Sequence, residues 1–174
     1  MWDFFETVRH RHSIRKYQEH RAVESEKLHA VLEMACAAPS AGDLQAYRIF
    51  VIQGGELRRR LSKAADNQQF IAQAPVSLIF CADQERSASR YGDRGRNLYA
   101  IQDATIAATY AQLAIVAAGM GSTWVGDFDD AEVAKLLGLN GGQTPIAILS
   151  LGYPAEIPAP TPRRRMENVV VNLD

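Results

Sequence analysis

The stretch YAIQDATIAATYAQLAIVAAG, Tyr99 to Gly119, decides the fold. After Asp103 no formally charged side chain appears until Asp127. Alanine is its commonest residue, and Leu98, Ile101, Ile106, Leu113, Ile115 and Val116 put bulk on several sides of a helical projection. A helix apolar nearly all round is buried, in a large core or in a membrane. At about 1.5 Å per residue the run extends roughly 32 Å, enough for either. Gln102, Thr105, Thr109, Tyr110 and Gln112 interrupt it, and alanine is only weakly lipophilic, so a membrane span is disfavoured. The run reads as a central packing helix whose small side chains admit other backbones, a second subunit's included. Gly119-Met120-Gly121 stops it, and the chain continues into STWVGDF.

The rest of the composition is consistent with that core. A length of 174 residues suits one domain, or one subunit of an intertwined dimer. Nineteen basic and twenty acidic side chains nearly cancel, at −1, which gives no long-range pull toward nucleic acid or an anionic membrane. Cys36 and Cys81 lie far apart in apolar runs and read as buried free thiols rather than a metal motif. MWDFFETVRHRHS lacks a signal-peptide core, so the expected location is cytoplasmic.

Outward from the centre, helices and strands mix without strict alternation. Helices are expected over residues 3–10, 24–37, 56–65, 67–73 and from Asp129 or Asp130 to Leu137. In 56–65, Leu57, Leu61 and Ala64 are expected inward and Arg58 to Arg60 on the wet face. Strands are expected at RIFVIQ (48–53), VSLIFCAD (76–83), PIAILSL (145–151) and an isolated VVVNL (169–173), with residues 124–126 extended. SASRYGDRGRN (87–97) reads as a surface loop. The pattern favours an α+β three-layer fold over a doubly wound one. No glycine-rich phosphate fingerprint follows any strand.

Four features ask for a chemical reading. Arg11-x-Ser13-x-Arg15 puts two guanidiniums and a hydroxyl on one side of an extended chain, a comb suited to phosphate; a solvated face is the plainer alternative. The small, glycine-bearing loop from Pro39 to Gln45 lets backbone approach a planar ligand, or simply ends a helix. STWVGDF sets a glycine among aromatics at the end of the buried helix. Arg163-Arg164-Arg165 is most simply a solvated charge run. The four histidines have no Cys or carboxylate at ligand spacing, so no metal is expected. With no legible side-chain catalyst and several phosphate-competent arginines, the pattern suits a cofactor that carries its own chemistry.

Four blocks in this order carry a resemblance: Arg11-His12-Ser13-Ile14-Arg15, Ala38-Pro39-Ser40-Ala41-Gly42-Asp43-Leu44-Gln45, Gly119-Met120-Gly121-Ser122-Thr123-Trp124-Val125-Gly126, and Leu151-Gly152-Tyr153-Pro154-Ala155. Together they resemble the FMN-dependent nitroreductase family over essentially the whole chain. The resemblance implies a central mixed or antiparallel sheet flanked by helices. It also implies a homodimer with two FMN molecules at the interface and a C-terminal strand exchanged between subunits. Carried over by position, Arg11, His12, Ser13 and Arg15 bind FMN, Arg15 near the pyrimidine edge. Arg11 and one or two of Arg163, Arg164 and Arg165 take the phosphate. Pro39, Ser40, Ala41 and Asp43 come from the other subunit to line the ring. Asn67 or Gln68 reaches the polar rim or ribityl chain, and Val125 and Gly126 offer backbone donors near the flavin N5. The family more often has Asn where Asp43 stands and Pro-Trp where Ala46-Tyr47 stand.

The implied function is an FMN oxidoreductase. NAD(P)H is the expected donor and a nitroaromatic, quinone or similar electrophile the acceptor, in ping-pong turnover. A flavin-binding storage or sensing protein is the alternative. The whole chain, 1–174, reads as one such domain, with a Pro-rich linker at 154–162 and a strand arm at 168–174.

Overall fold

A computed structural model describes residues 3–18 and 20–173. Four strands form one antiparallel sheet in the order β1-β2-β4-β3: β1 (Tyr47–Ile52), β2 (Val76–Asp83), β3 (Gly121–Val125) and β4 (Gln143–Gly152). β2 is buried along nearly its whole length, because helices cover both sheet faces. Its side chains alternate between two cores. Leu78 and Phe80 pack with Leu149 and Leu151 against α2 (Ser25–Cys36) and α6 (Ala100–Ala117). Ile79 and Cys81 pack with Ile148 and Val125 against α3 (Gly55–Ala64), α4 (Gln69–Gln73) and α7 (Asp130–Leu137). The result is the expected helix–sheet–helix sandwich.

Partway along β4 the register shifts by one residue: Phe80 pairs with Ala147 but Cys81 with Pro145, leaving Ile146 as the extra residue of a bulge. Pro145 is tolerated because β3 pairs only with Ile148 to Gly152, so no third strand needs its missing donor.

The central helix α6 buries Ala104, Ala107, Ala108 and Ala111 completely, and their small side chains allow the close approach of α2 and the sheet. The burial is not all-round. Ile101, Thr109, Tyr110 and Ala117 remain exposed, the last three where α6 lies beside α1 (Phe4–His10). Phe4 and Phe5 of α1, at helical spacing with Val8, point outward and are 66% and 68% exposed. Among the described residues no helix is long and apolar enough to cross a membrane.

Five sequence expectations are corrected. Residues 87–97 are not a loop: α5 (Gln84–Arg94) runs through them, kinked at Gly92, and a π-helical turn, Gly95–Tyr99, leads directly into α6. The extended segment near Trp124 begins earlier, at Gly121, as β3. Cys36 is exposed, since it ends α2 on the side away from Leu28, Val31 and Ala35. In α3, Leu57 is exposed while Arg58 is half-buried, its guanidinium donating to the carbonyls of Ala72 and Ala74. Residues 169–173 form no strand; they follow a short turn, Met166–Asn168, and stand exposed because no edge of their own sheet lies beside them.

Candidate functional site at the β3 edge

The segment after α1 is fixed to β3 by a single parallel bridge, Ser13 to Ser122, with Ile14 N donating to Ser122 O at 3.0 Å. Thr123 Oγ1 donates to Ile14 O, and Tyr17 Oη lies 2.8 Å from both Ile14 O and Ser150 O, its one proton shared between the two carbonyls. Burial raises the Tyr17 phenol well above its ordinary range, so it stays a donor. With Ile14 inward, alternation turns its neighbours Ser13 and Arg15 to the opposite side. Gly121 makes this approach possible, since a Cβ there would stand 2.4 Å from Ile14 Cγ1.

Arg11, His12, Ser13, Arg15 and Arg163 line one cavity of about 510 Å³, walled also by Pro158 to Thr161. Folding thus joins the Arg11–Arg15 comb with the first of the three late arginines. Arg164 is turned away, donating to Asn168 O, and Arg165 pairs with Glu167 at 3.8 Å. Among the described residues no carboxylate forms an ion pair with Arg11, Arg15 or Arg163. Arg9 lines the same cavity and, among the described residues, also forms no ion pair. Four uncompensated guanidiniums and a hydroxyl around a cavity of this size form a donor set for a dianionic phosphate.

Arg15 also stacks over Phe70, its guanidinium carbon 5.9 Å from the ring centroid, which brings the α4 end of the chain to the same edge. Just before α4, Asp66 and Asn67 adopt left-handed φ values of 51° and 57°. These are residue types that tolerate this region through local side-chain hydrogen bonds. Gln68 donates from Nε2 to Asp127 O at 3.3 Å, tying this turn to the segment after β3. Val125 buries its side chain in the core, so only its backbone is available, and Gly126 is exposed. Among the described residues, Ser122 Oγ is buried with no hydrogen-bond partner.

The loop carrying Pro39, Ser40, Ala41 and Asp43 is not part of this assembly within one chain. It is held at the opposite end of α6, where Asp103, 1% exposed, accepts from Ala41 N at 2.9 Å and Ala46 N at 3.3 Å. α6 has 18 residues, so its ends lie about 27 Å apart. The loop is a tight 3₁₀ turn with positive φ at Gly42 (57°), Asp43 (55°) and Gln45 (48°). Sequence reading missed Asp103 as its anchor. The available signal was an isolated carboxylate at the start of a charge-free helix, which needs donors if buried.

The nitroreductase family model matches residues 8–69 and 63–153. An NADH dehydrogenase of Thermus thermophilus is 32% identical, the match covering 92% of this chain and 91% of the relative. An FMN reductase (NAD(P)H) of Bacillus subtilis is also 32% identical, over 90% of this chain and 68% of the relative. Among solved structures, the NADPH:FMN oxidoreductase of Vibrio harveyi complexed with NAD+ superposes with a TM-score of 0.89 at 28% identity, covering 98% of this chain and 76% of that one. With the same antiparallel sheet and helical layers, and with a family match running from α1 through the end of β4, the chain belongs to the nitroreductase family.

Proposed function

We propose that this chain is an FMN-dependent NAD(P)H oxidoreductase working as a homodimer in the cytoplasm. The observation that carries the reading is the cavity in which Arg11, His12, Ser13, Arg15 and Arg163 converge with no carboxylate paired to these arginines among the described residues. Arg11 and Arg163 are suited to hold the FMN phosphate, since guanidinium groups bind phosphate oxygens in paired hydrogen bonds. Arg15, held above Phe70, would offer positive charge to a bound flavin as negative charge gathers on it in two-electron reduction, which would favour that state electrostatically. The Ser13 hydroxyl, the Gln68 amide and the Val125–Gly126 backbone add uncharged donors along the same edge. When bound, FMN supplies two-electron transfer from NAD(P)H to a nitroaromatic, quinone or similar electrophile, the two substrates using the site in turn.

The remaining wall comes from a second copy in this reading. Pro39, Ser40, Ala41 and Asp43 sit at the far end of α6, beyond reach of Arg15 in the same chain, so a two-fold partner must bring its own loop. An exposed apolar surface supports such a contact: Phe4, Met34, Tyr110 and Leu113 line a cavity of about 500 Å³ between α1, α2 and α6. A continuous apolar patch of this kind marks an interaction surface.

The test is flavin binding and turnover. Purified protein should be yellow, and NADH or NADPH should bleach it rapidly, with colour restored by a nitroaromatic or quinone. FMN should bind far better than riboflavin. Arg11→Ala should weaken FMN by about 1.5–3 kcal/mol, the scale of a lost charged hydrogen bond. Equal affinity for FMN and riboflavin would overturn the phosphate assignment.

A further inference from the structure

α5 carries a cluster that the proposed flavin site does not use. Arg90 lies over Tyr91, its guanidinium carbon 5.4 Å from the ring centroid, and Arg94 lies over Tyr99 at 5.4 Å. The two tyrosine rings meet edge to face, centroids 5.1 Å apart. Arg94 Nε donates to Tyr99 Oη at 2.9 Å, and Arg90 Nη1 donates to Gly42 O at 3.2 Å. Arg86, one turn before Arg90, donates to Leu44 O. The cluster is therefore fastened to the loop that carries Pro39 to Asp43. The fit is close: a Cβ on Gly42 would stand 2.4 Å from Tyr91 Oη.

Charge singles this cluster out. Among the described residues neither Arg86, Arg90 nor Arg94 forms an ion pair; the local carboxylate Glu85 is engaged by Arg96, and Asp43 and Asp93 pair with none of the three. Like charges one helical turn apart, as at Arg86 and Arg90, repel and destabilise a helix. The exposed arginines retain free N–H donors, since a guanidinium has five and only one or two are used here. Cationic forks interleaved with aromatic rings match a ligand that joins phosphate to a flat heterocycle.

We infer that Arg90, Tyr91, Arg94 and Tyr99 form a subsite for the phosphorylated adenosine end of the dinucleotide donor, so that NADPH is preferred over NADH. The placement rests on the flavin reading above: if the Pro39–Asp43 loop lines the ring of a partner's FMN, the α5 cluster borders the same opening. A nicotinamide at the ring then extends its adenosine portion over the cluster. The guanidiniums take the 2′-phosphate and a tyrosine ring stacks on the base.

Direct binding tests the subsite apart from flavin chemistry. Isothermal titration of the purified protein with 2′,5′-ADP and with 5′-AMP should give at least tenfold tighter binding of the former, weakening as salt is raised. Arg94→Ala should abolish most of that preference while leaving 5′-AMP binding within about twofold, and Arg94→Lys should restore part of it. In the flavin-loaded enzyme, Arg94→Ala should raise the KM for NADPH at least tenfold with little change for NADH. Equal wild-type affinity for the two nucleotides overturns the inference, even if FMN binds and is reduced. Protein that binds 2′,5′-ADP selectively but takes up no FMN leaves the subsite standing and overturns the flavin reading instead.

Discussion

Asp103 Oδ1 accepts the Ala41 amide at 2.9 Å, and its second oxygen accepts the Ala46 amide at 3.3 Å, so one buried carboxylate closes both ends of the turn between them. The turn needs closing, because Gly42, Asp43 and Gln45 are all held at positive φ, a region that costs non-glycine residues energy. Asp103→Ala leaves the buried Ala46 amide and the half-buried Ala41 amide without an acceptor. Unsatisfied buried donors cost about 1–3 kcal/mol each, so the variant should melt well below wild type. Asp103→Asn should rescue only partly, since its amide group presents a donor where one backbone N–H already points. A variant melting with wild type would show that solvent replaces the carboxylate without cost.

How much of this was legible from sequence depended on where each residue's partners lie. α6 and β2 were readable because their own apolar runs demand burial, whatever surrounds them. The Arg11–Arg15 comb was visible as local spacing, but not its union with Arg163, which folding brings from the other end of the chain. α5 was misread because it has little apolar pattern of its own, a glycine at 92 and a second, Gly95, just past its end. Its helix is held by interactions that sequence does not display. Asp83 caps it by accepting from Arg86 N at 3.1 Å, Arg96 pairs with Glu85, and Tyr91 packs on Tyr99. Arg58 was misplaced for a similar reason, its acceptors being carbonyls in and beyond α4.

The seating of the Arg11–Arg15 segment depends on the missing side chain at position 121. Gly121→Ala would place a methyl carbon 2.4 Å from Ile14 Cγ1 and 3.0 Å from Pro154 Cγ, too near for any relaxed packing. Overpacking of this sort costs about 1–3 kcal/mol. The strain should appear first as displacement of Ser13 and Arg15, so FMN should be lost at temperatures where the chain is still folded. Flavin fluorescence and far-ultraviolet circular dichroism followed in one thermal ramp check this. Coincident transitions in the variant, at the wild-type temperature, would contradict it.

Stability should fall on the alkaline side. Burial pushes the Cys81 thiol from 9.0 up to about 12, and burial raises Tyr17 above its ordinary 10.0 as well. The folded chain keeps these protons through a range where the unfolded chain releases them. In that range the unfolded state binds fewer protons, so unfolding free energy decreases as pH rises. The contribution is fully present below about pH 9 and is lost progressively toward about pH 12. Cys81→Ala should therefore lower stability near neutrality through its cavity yet flatten the alkaline slope, by up to about 1.4 kcal/mol per pH unit. Urea unfolding at a series of pH values gives both slopes, and parallel slopes would exclude Cys81 as a contributor.

The tail after the proline stretch offers the sharpest test of the assembled site. Asn168 to Leu173 is rich in β-branched residues, yet Val171 and Leu173 are 79% and 91% exposed in a single chain. A segment of that composition left in water is a liability unless another surface covers it. The prolines from 154 to 162 hold the linker extended at roughly 3 Å per residue, so it can reach a neighbour. Pro158 and Pro160 also form one wall of the cavity that contains Arg163. Pairing of the tail with a second copy should therefore hold Arg163 in place at the phosphate, which couples dimer formation to cofactor retention. Deleting residues 168–174 should lower dimer stability and FMN content together, as read by light scattering and flavin absorbance over a dilution series. Loss of dimer with full flavin retention would separate the two roles, and a truncated protein that stays a yellow dimer on dilution would remove the tail from both.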